Sequence, residues 1–183
     1  FIKYFDGDEI AEKSFIDLRD NSLAICRYIR SVCPERMHVA IIGKTSYEYI
    51  TAMTGALVSG NVFVPFAPNT TVEEGVELFE DGDIEALFYE DAFAETAKAI
   101  AEKYGKLKVF VNMGNADWFA DIYEKYGADS EYAELSEVEL DPDECVTIIY
   151  TSGSTGKRKG VMLSSTNLIA NITYTEFEQG DEV

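Results

Sequence analysis

Residues 150–160, Tyr-Thr-Ser-Gly-Ser-Thr-Gly-Lys-Arg-Lys-Gly, gather hydroxyls, glycines and cations into one short stretch. Those residue types suit an anion with several oxygens. Gly153 and Gly156 permit backbone conformations in which successive N–H groups converge on one point, and Thr151, Ser152, Ser154 and Thr155 add hydroxyl donors. Lys157, Arg158 and Lys159 place three of the chain's 15 basic residues side by side in a molecule of formal charge -19. A cationic loop on an acidic background points to a polyphosphate ligand. A cluster of Ser, Gly, Thr and Lys is otherwise a solvated turn, so its flanks carry weight. Here a β-branched run over 146–150 reads as a strand, and 159–164 reads as a second extended segment that closes the loop. The spacing is not that of a P-loop: the fifth residue after Gly153 is Arg158, and Lys157, although it follows Gly156, has no hydroxyl residue after it.

The elements that position this loop alternate between two periods. A hairpin is expected around residues 3–9, with Asp6 and Gly7 in its turn. Ser14 and Asp17 then form a capping pair for a helix whose stripe is Leu18, Ser22, Ile25 and Ile29, widened by Phe15, Cys26 and Val32 and ended by Pro34. Strands are predicted over 37–43, 61–66, 86–89 and 107–111. Between them come helices on three apolar faces. The first carries Tyr47, Ile50, Met53, Thr54 and Leu57 and stops at Gly60. The second carries Val72, Val76 and Phe79, opens on a Thr71–Glu74 capping box and ends at Asp81 and Gly82. The third carries Phe93, Ala97, Ile100 and Tyr104 and ends at Gly105.

One more helix is expected over 117–126, followed by an acidic connector, 128–144, read as solvated. After the loop, Ser165 or Thr166 is the expected cap of a helix carrying Leu168, Ile169, Ile172 and Phe177. Alternating strands and helices indicate an α/β layered fold with a mostly parallel sheet and helices on both faces, because parallel neighbours need crossover connections.

Composition narrows the function classes. With 46% hydrophobic and 13% aromatic residues in 183, the chain can bury a substantial core. Its 34 Asp and Glu against 15 Lys and Arg disfavour nucleic acid and anionic membrane as partners. No apolar run approaches the ~18 to 20 residues of a membrane-spanning helix. Cys26, Cys33 and Cys145 show no ligand or disulfide rhythm, as expected of thiols kept reduced in a cytoplasmic protein, and His38, the only histidine, is read as a strand-edge residue. From Phe1 to Val183 the chain reads as one α/β segment of something longer.

The run 150–160 resembles the signature of the adenylate-forming (AMP-binding) superfamily, which includes acyl-CoA synthetases, aryl-CoA ligases, luciferases and peptide-synthetase adenylation domains. Arg158 is the one departure, standing where the family usually has proline; this predicts a more mobile loop tip with an added cation. Tyr4-Phe-Asp-Gly-Asp8, Ser14-Phe-Ile-Asp-Leu18, Val39-Ala-Ile-Ile-Gly43, Gly55-Ala-Leu-Val-Ser-Gly60 and Val64-Pro65 follow the order seen at the N-terminus of acyl-CoA synthetases. The resemblance implies the N-terminal part of the large AMP-binding domain, with the C-terminal domain absent. It also implies a two-step reaction: a carboxylate, with a fatty acid as the first expectation, attacks ATP to give an acyl-adenylate and pyrophosphate, and the thiol of coenzyme A or a carrier protein then displaces AMP.

By the same resemblance, Thr151, Ser152, Gly153, Ser154, Thr155, Gly156, Lys157 and Lys159 hold the phosphates. Lys159 touches them directly, and Lys157 and Arg158 enrich the local potential. Mg2+ accompanies ATP without a ligand nameable here. The catalytic lysine and the metal-associated glutamate are expected beyond Val183, so no catalytic residue is placed in this segment. Two other readings stand beside the synthetase: a catalytically silent nucleotide- or phosphate-binding module, and an adenylation domain serving a carrier protein.

Overall fold

An N-terminal hairpin of β1 (Ile2–Asp6) and β2 (Glu9–Lys13) leads into α1 (Phe15–Val32) in the computed structural model, which describes residues 1–6, 9–114, 118–151 and 158–173. Ser14 caps α1 as its sequence predicts: its hydroxyl accepts from Asp17 N at 3.0 Å, and Asp17 Oδ2 accepts from Ser14 N at 2.8 Å. The Ser14 hydroxyl, then its amide, hold the Asp17 carboxyl below the usual carboxylate value. Alternating elements follow: β3 (His38–Ile42), α2 (Tyr47–Val58), β4 (Val62–Phe66), α3 (Val72–Asp81), β5 (Ile84–Tyr89), α4 (Ala94–Tyr104), β6 (Val109–Asn112) and α5 (Trp118–Tyr126). The chain continues through β7 (Cys145–Thr151), β8 (Lys159–Ser164) and α6 (Ser165–Thr173).

The main sheet runs β6-β5-β3-β4-β7-β8 and is parallel except for β8, which returns antiparallel to β7. The two-residue period of the strands sorts their side chains between two cores. Val39, Ile41, Phe63, Ala86, Phe88 and Val109 pack under α1, α2 and α5. Ala40, Ile42, Val62, Val64, Phe66, Leu87 and Tyr89 pack under α3 and α4. Helices therefore cover both faces, as the alternation predicted. Right-handed crossovers on opposite faces carry the chain first from β3 to β4 and then back across the sheet to β5. Buried Asn61 braces the start of β4, accepting from Met37 N at 2.7 Å and donating to Ser59 Oγ at 2.7 Å. His38 sits at the start of β3 with Nδ1 2.6 Å from Gly82 O.

Four local expectations need correction. Phe15 and Val32 are 67% and 45% exposed, not part of the α1 stripe; an 18-residue helix outreaches five-residue strands, so its end turns overhang the sheet. The connector after α5 is not simply solvated: Ala133–Ser136 forms a 3-10 turn docked on α1. There buried Arg27 donates Nε to Ser136 Oγ at 2.7 Å and a terminal nitrogen to Tyr126 O at 3.0 Å. The Thr71–Glu74 capping box is only half made. Thr71 Oγ1 accepts from Glu74 N at 3.2 Å, but the Glu74 carboxylate is committed elsewhere. Finally, α6 is capped by Ser164, whose hydroxyl accepts from Asn167 N at 3.3 Å while Asn167 Oδ1 accepts from Ser164 N at 3.0 Å; Thr166 is tied instead to Pro142 O and Asp143. Phe177 lies outside the described residues, as do Gly7 and Asp8 of the hairpin turn.

The packing of α1 on α2 rests on Gly55. A methyl group there would sit 2.5 Å from Ile25 Cβ and 2.6 Å from Ile25 Cγ2, and Ile25 is fully buried and stiff at χ1. Gly55→Ala is expected to destabilise the protein by about 2 kcal/mol, read as a lower denaturant midpoint at unchanged m-value.

Candidate functional site

Because β7 runs parallel to β4, its last residue, Thr151, reaches the edge where the carboxyl ends of β3, β4, β5 and β6 also lie. Ligands of open parallel sheets bind outside that edge. Thr147 holds β7 in place by donating its hydroxyl to Phe63 O at 2.8 Å. At its other end, β7 is gripped by Arg36, which pairs with Glu144 at 2.5 Å and donates to Cys145 O.

At the head of the hairpin, Tyr150 opposes Gly160 and Thr151 opposes Lys159. Tyr150 turns toward α3, packing on Phe66 at a 6.2 Å ring separation and donating its hydroxyl to Asp81 Oδ2 at 2.9 Å. Gly160 is required by that placement: a Cβ there would lie 2.9 Å from Ile148 Cγ2 and 3.3 Å from Tyr150 Cε1. Strand alternation then puts Thr151 and Lys159 on the opposite face, away from α3, where both are exposed. Thr151 Oγ1 lies 3.5 Å from Lys159 O.

Of the residues the sequence assigns to phosphate, the structure thus brings together Thr151 and Lys159. Ser152, Gly153, Ser154, Thr155, Gly156 and Lys157 lie outside the described residues. Arg158 departs from its expected role. Its Nε is 2.5 Å from Glu74 Oε1, with the two side chains only 33% and 29% exposed, so its charge is matched by a carboxylate of α3 rather than added to a free cationic loop. The groove beside it, about 550 Å³, is lined by Glu74, Glu77, Glu80 and Asp81 along with Arg158. With Arg158 on Glu74 and Lys106 on Glu80 at 2.5 Å, the four carboxylates still outnumber the cations beside them, which makes that side unfavourable to a polyphosphate and leaves the Thr151–Lys159 face as the accessible approach. Among the described residues, no group of three or more His, Cys, Asp or Glu side chains is arranged to hold a metal ion, and no helix is long and apolar enough to cross a membrane.

Comparison with known proteins agrees with this layout. A model of the family described as AMP-binding enzyme matches residues 2–183. The chain belongs to the AMP-binding enzyme family. It is 30% identical over 173 residues to the nonribosomal peptide synthetase sidC of Aspergillus fumigatus, a match covering 93% of this chain and 3% of that protein. It is 32% identical over 160 residues to the long-chain fatty acid CoA ligase ACSBG2 of Gallus gallus, covering 80% of this chain and 20% of that one. Among solved structures, the long-chain-fatty-acid-CoA ligase FadD1 of Archaeoglobus fulgidus superposes with a TM-score of 0.77 at 23% identity, over 93% of this chain and 33% of that chain, and so shares its fold. The chain therefore spans about a third of that structure and a smaller share of the two curated relatives. AMP-binding relatives of both the CoA-ligase and the peptide-synthetase kind are present, so family membership alone leaves the thiol acceptor open.

Sequence reasoning missed the two α3 carboxylates. In the sequence Glu74 is read only as a capping-box partner and Asp81 only as a helix end; their bonds to Arg158 and Tyr150 exist only once the hairpin is packed against the helix. Burial first, then the hydrogen bond to Asp81, hold the Tyr150 phenol well above its usual range. It is therefore a neutral donor at physiological pH. Tyr150→Phe is expected to cost about 1 kcal/mol of stability near neutral pH. Because the folded phenol keeps its proton to higher pH than the unfolded one, its contribution is whole below about pH 10 and declines above it as unfolded tyrosinate forms. Denaturation curves at pH 8 and pH 11 should show the gap between wild type and variant narrowing at the higher pH.

Proposed function

We propose that this AMP-binding protein is an ATP-dependent acid-activating ligase of the acyl-CoA synthetase type. In the reaction, a carboxylate oxygen attacks the α-phosphorus of ATP, the bond to the β-phosphate bridge breaks, and pyrophosphate leaves. The thiol of coenzyme A then attacks the acyl carbon and AMP departs. The observation that supports this reading most is the Thr151–Lys159 pair at the carboxyl edge of the sheet, on the face away from the acidic α3 groove, at both ends of a segment rich in Ser, Thr and Gly.

In this reading Thr151, Ser152, Ser154 and Thr155 donate to the β- and γ-phosphate oxygens through hydroxyl or amide. Gly153 and Gly156 let the backbone approach the phosphates closely. Lys159 places its ammonium on the pyrophosphate as charge accumulates there, and Lys157 adds to the local field. Magnesium would arrive with ATP, supplying countercharge to the phosphate oxygens. Free Cys26, Cys33 and Cys145 support a reducing, cytoplasmic setting. A carrier-protein thiol in place of coenzyme A is the second reading, favoured by the 30% identity to a peptide synthetase.

Exchange of labelled pyrophosphate into ATP by the full-length protein, measured with short- to long-chain carboxylates, tests the first half-reaction; residues 1–183 by themselves are expected to be inactive. We expect carboxylate-dependent exchange, reduced about 100-fold in kcat/KM by Lys159→Ala and about 10-fold by Thr155→Ala. Exchange indifferent to the carboxylate, or to both substitutions, would count against the reading. Release of AMP on adding coenzyme A, but not a phosphopantetheinyl carrier protein, separates the two acceptors.

A further inference from the structure

The geometry points to Arg158 and Glu74 as a positioning pair for the phosphate site: α3 clamps both strands of the β7–β8 hairpin, and Arg158 serves as an anchor rather than a phosphate ligand. The inference rests on the ATP-dependent reading above. It is carried by four observations. Arg158 Nε meets Glu74 Oε1 at 2.5 Å in a pair about two-thirds shielded from solvent. Two turns further along α3, Asp81 accepts from Tyr150 of the opposite strand at 2.9 Å, so one helix face holds the hairpin on both sides of the 152–157 segment. Between them lies a second hollow, about 230 Å³, formed by Pro65, Phe66, Thr70, Leu78, Tyr150 and Arg158, which continues the contact between α3 and the hairpin. The groove beside Arg158 is lined by Glu74, Glu77, Glu80 and Asp81, an acidic surface that disfavours phosphate on that side even with Lys106 paired to Glu80.

The cations are thereby divided. Lys159 follows the pleat to the exposed face shared with Thr151, where an anion can reach it. Arg158, one residue earlier, is turned to α3 and neutralised. A guanidinium suits this anchoring role because its charge persists at any working pH and it can hold a carboxylate through directed N–H donors. In the superfamily pattern, proline at this position restrains the chain covalently; here an ion pair to a neighbouring helix supplies the restraint from outside.

The test is steady-state pyrophosphate exchange and magnesium pyrophosphate binding by calorimetry, on the full-length protein as wild type, Glu74→Gln, Arg158→Gln and the double variant. An anchoring pair predicts that both single variants raise the KM for ATP and weaken pyrophosphate about 5-fold, the loss of one partly exposed ion pair, with kcat within about 2-fold. The double variant should be no worse than either single one, because the second substitution removes a group that has already lost its partner. Arg158→Lys, keeping the charge, should recover part of the loss, and the swapped pair E74R/R158E should recover more than R158E alone.

Arg158 acting directly on phosphate predicts opposite signs: Glu74→Gln would tighten pyrophosphate by freeing the guanidinium, while Arg158→Gln would weaken it at least 10-fold. That result overturns the proposal. So does a lowered melting temperature with KM and pyrophosphate affinity unchanged, which would mark a merely structural pair. Wild-type protein that binds pyrophosphate but exchanges with no carboxylate would overturn the ligase reading alone, and the binding series would then decide the role of the pair. Wild-type protein that does neither overturns both.

Discussion

A parallel strand cannot be followed by its neighbour without a crossover, and that constraint organises the molecule. β3 is buried on both faces, so helices must lie above and below it, and each crossover helix returns the chain to begin the next strand at the same end of the sheet. The carboxyl ends of five strands are brought to one edge as a result. β7 is added beside β4 by a connector that crosses back beneath α1, and its last residue, Thr151, reaches the same edge.

The same helix that closes one core also holds the β7–β8 hairpin. Leu78 and Phe79 of α3 are buried under the sheet, while Glu74 and Asp81 lie seven residues apart, two turns along one face. Over that spacing, about 10 Å along the helix axis, α3 meets Arg158 at one end and Tyr150 at the other. Residues that look like surface solvation in the sequence thus acquire fixed partners. Strand alternation does the complementary work on the hairpin, sending Tyr150 and Arg158 to the helix and Thr151 and Lys159 to the open face. Among the described residues, the hairpin thus has the α3 carboxylates on one side and the Lys159 ammonium on the other.

The relation between α1 and the acidic connector shows why charge patterning alone misled. A run of carboxylates over 128–144 reads as a strand of solvated chain, yet Leu135 and Ser136 within it supply a carbonyl and a hydroxyl to Cys26 and Arg27 on the buried side of α1. Arg27 is tolerated there because its donors are met by Ser136 and Tyr126 O, and a buried guanidinium without them would be strongly destabilising. Exposed Phe15 and Val32 err in the other direction. Both fit the helical period, but periodicity reports which side of a helix is apolar and not where the neighbouring layer stops.

Sequence by itself determined the strand and helix order, the caps at Ser14 and Thr71, the two-layered cover of the sheet, and the chemical character of residues 150–160, because periodicity, turn residues and hydroxyl-glycine-cation composition are local properties of a chain. It also identified Thr151 and Lys159, though not that they would form a pair on one face. Only the tertiary structure decided that Arg158 is paired while Lys159 lies on the exposed face, that the Glu74 carboxylate meets Arg158 rather than closing the Thr71 cap, and that Gly160 makes room for Tyr150. The reason is physical: the ion pair between α3 and the residue before β8 joins positions more than eighty apart, and no spacing rule along the chain encodes which carboxylate among 34 acidic residues will be within reach.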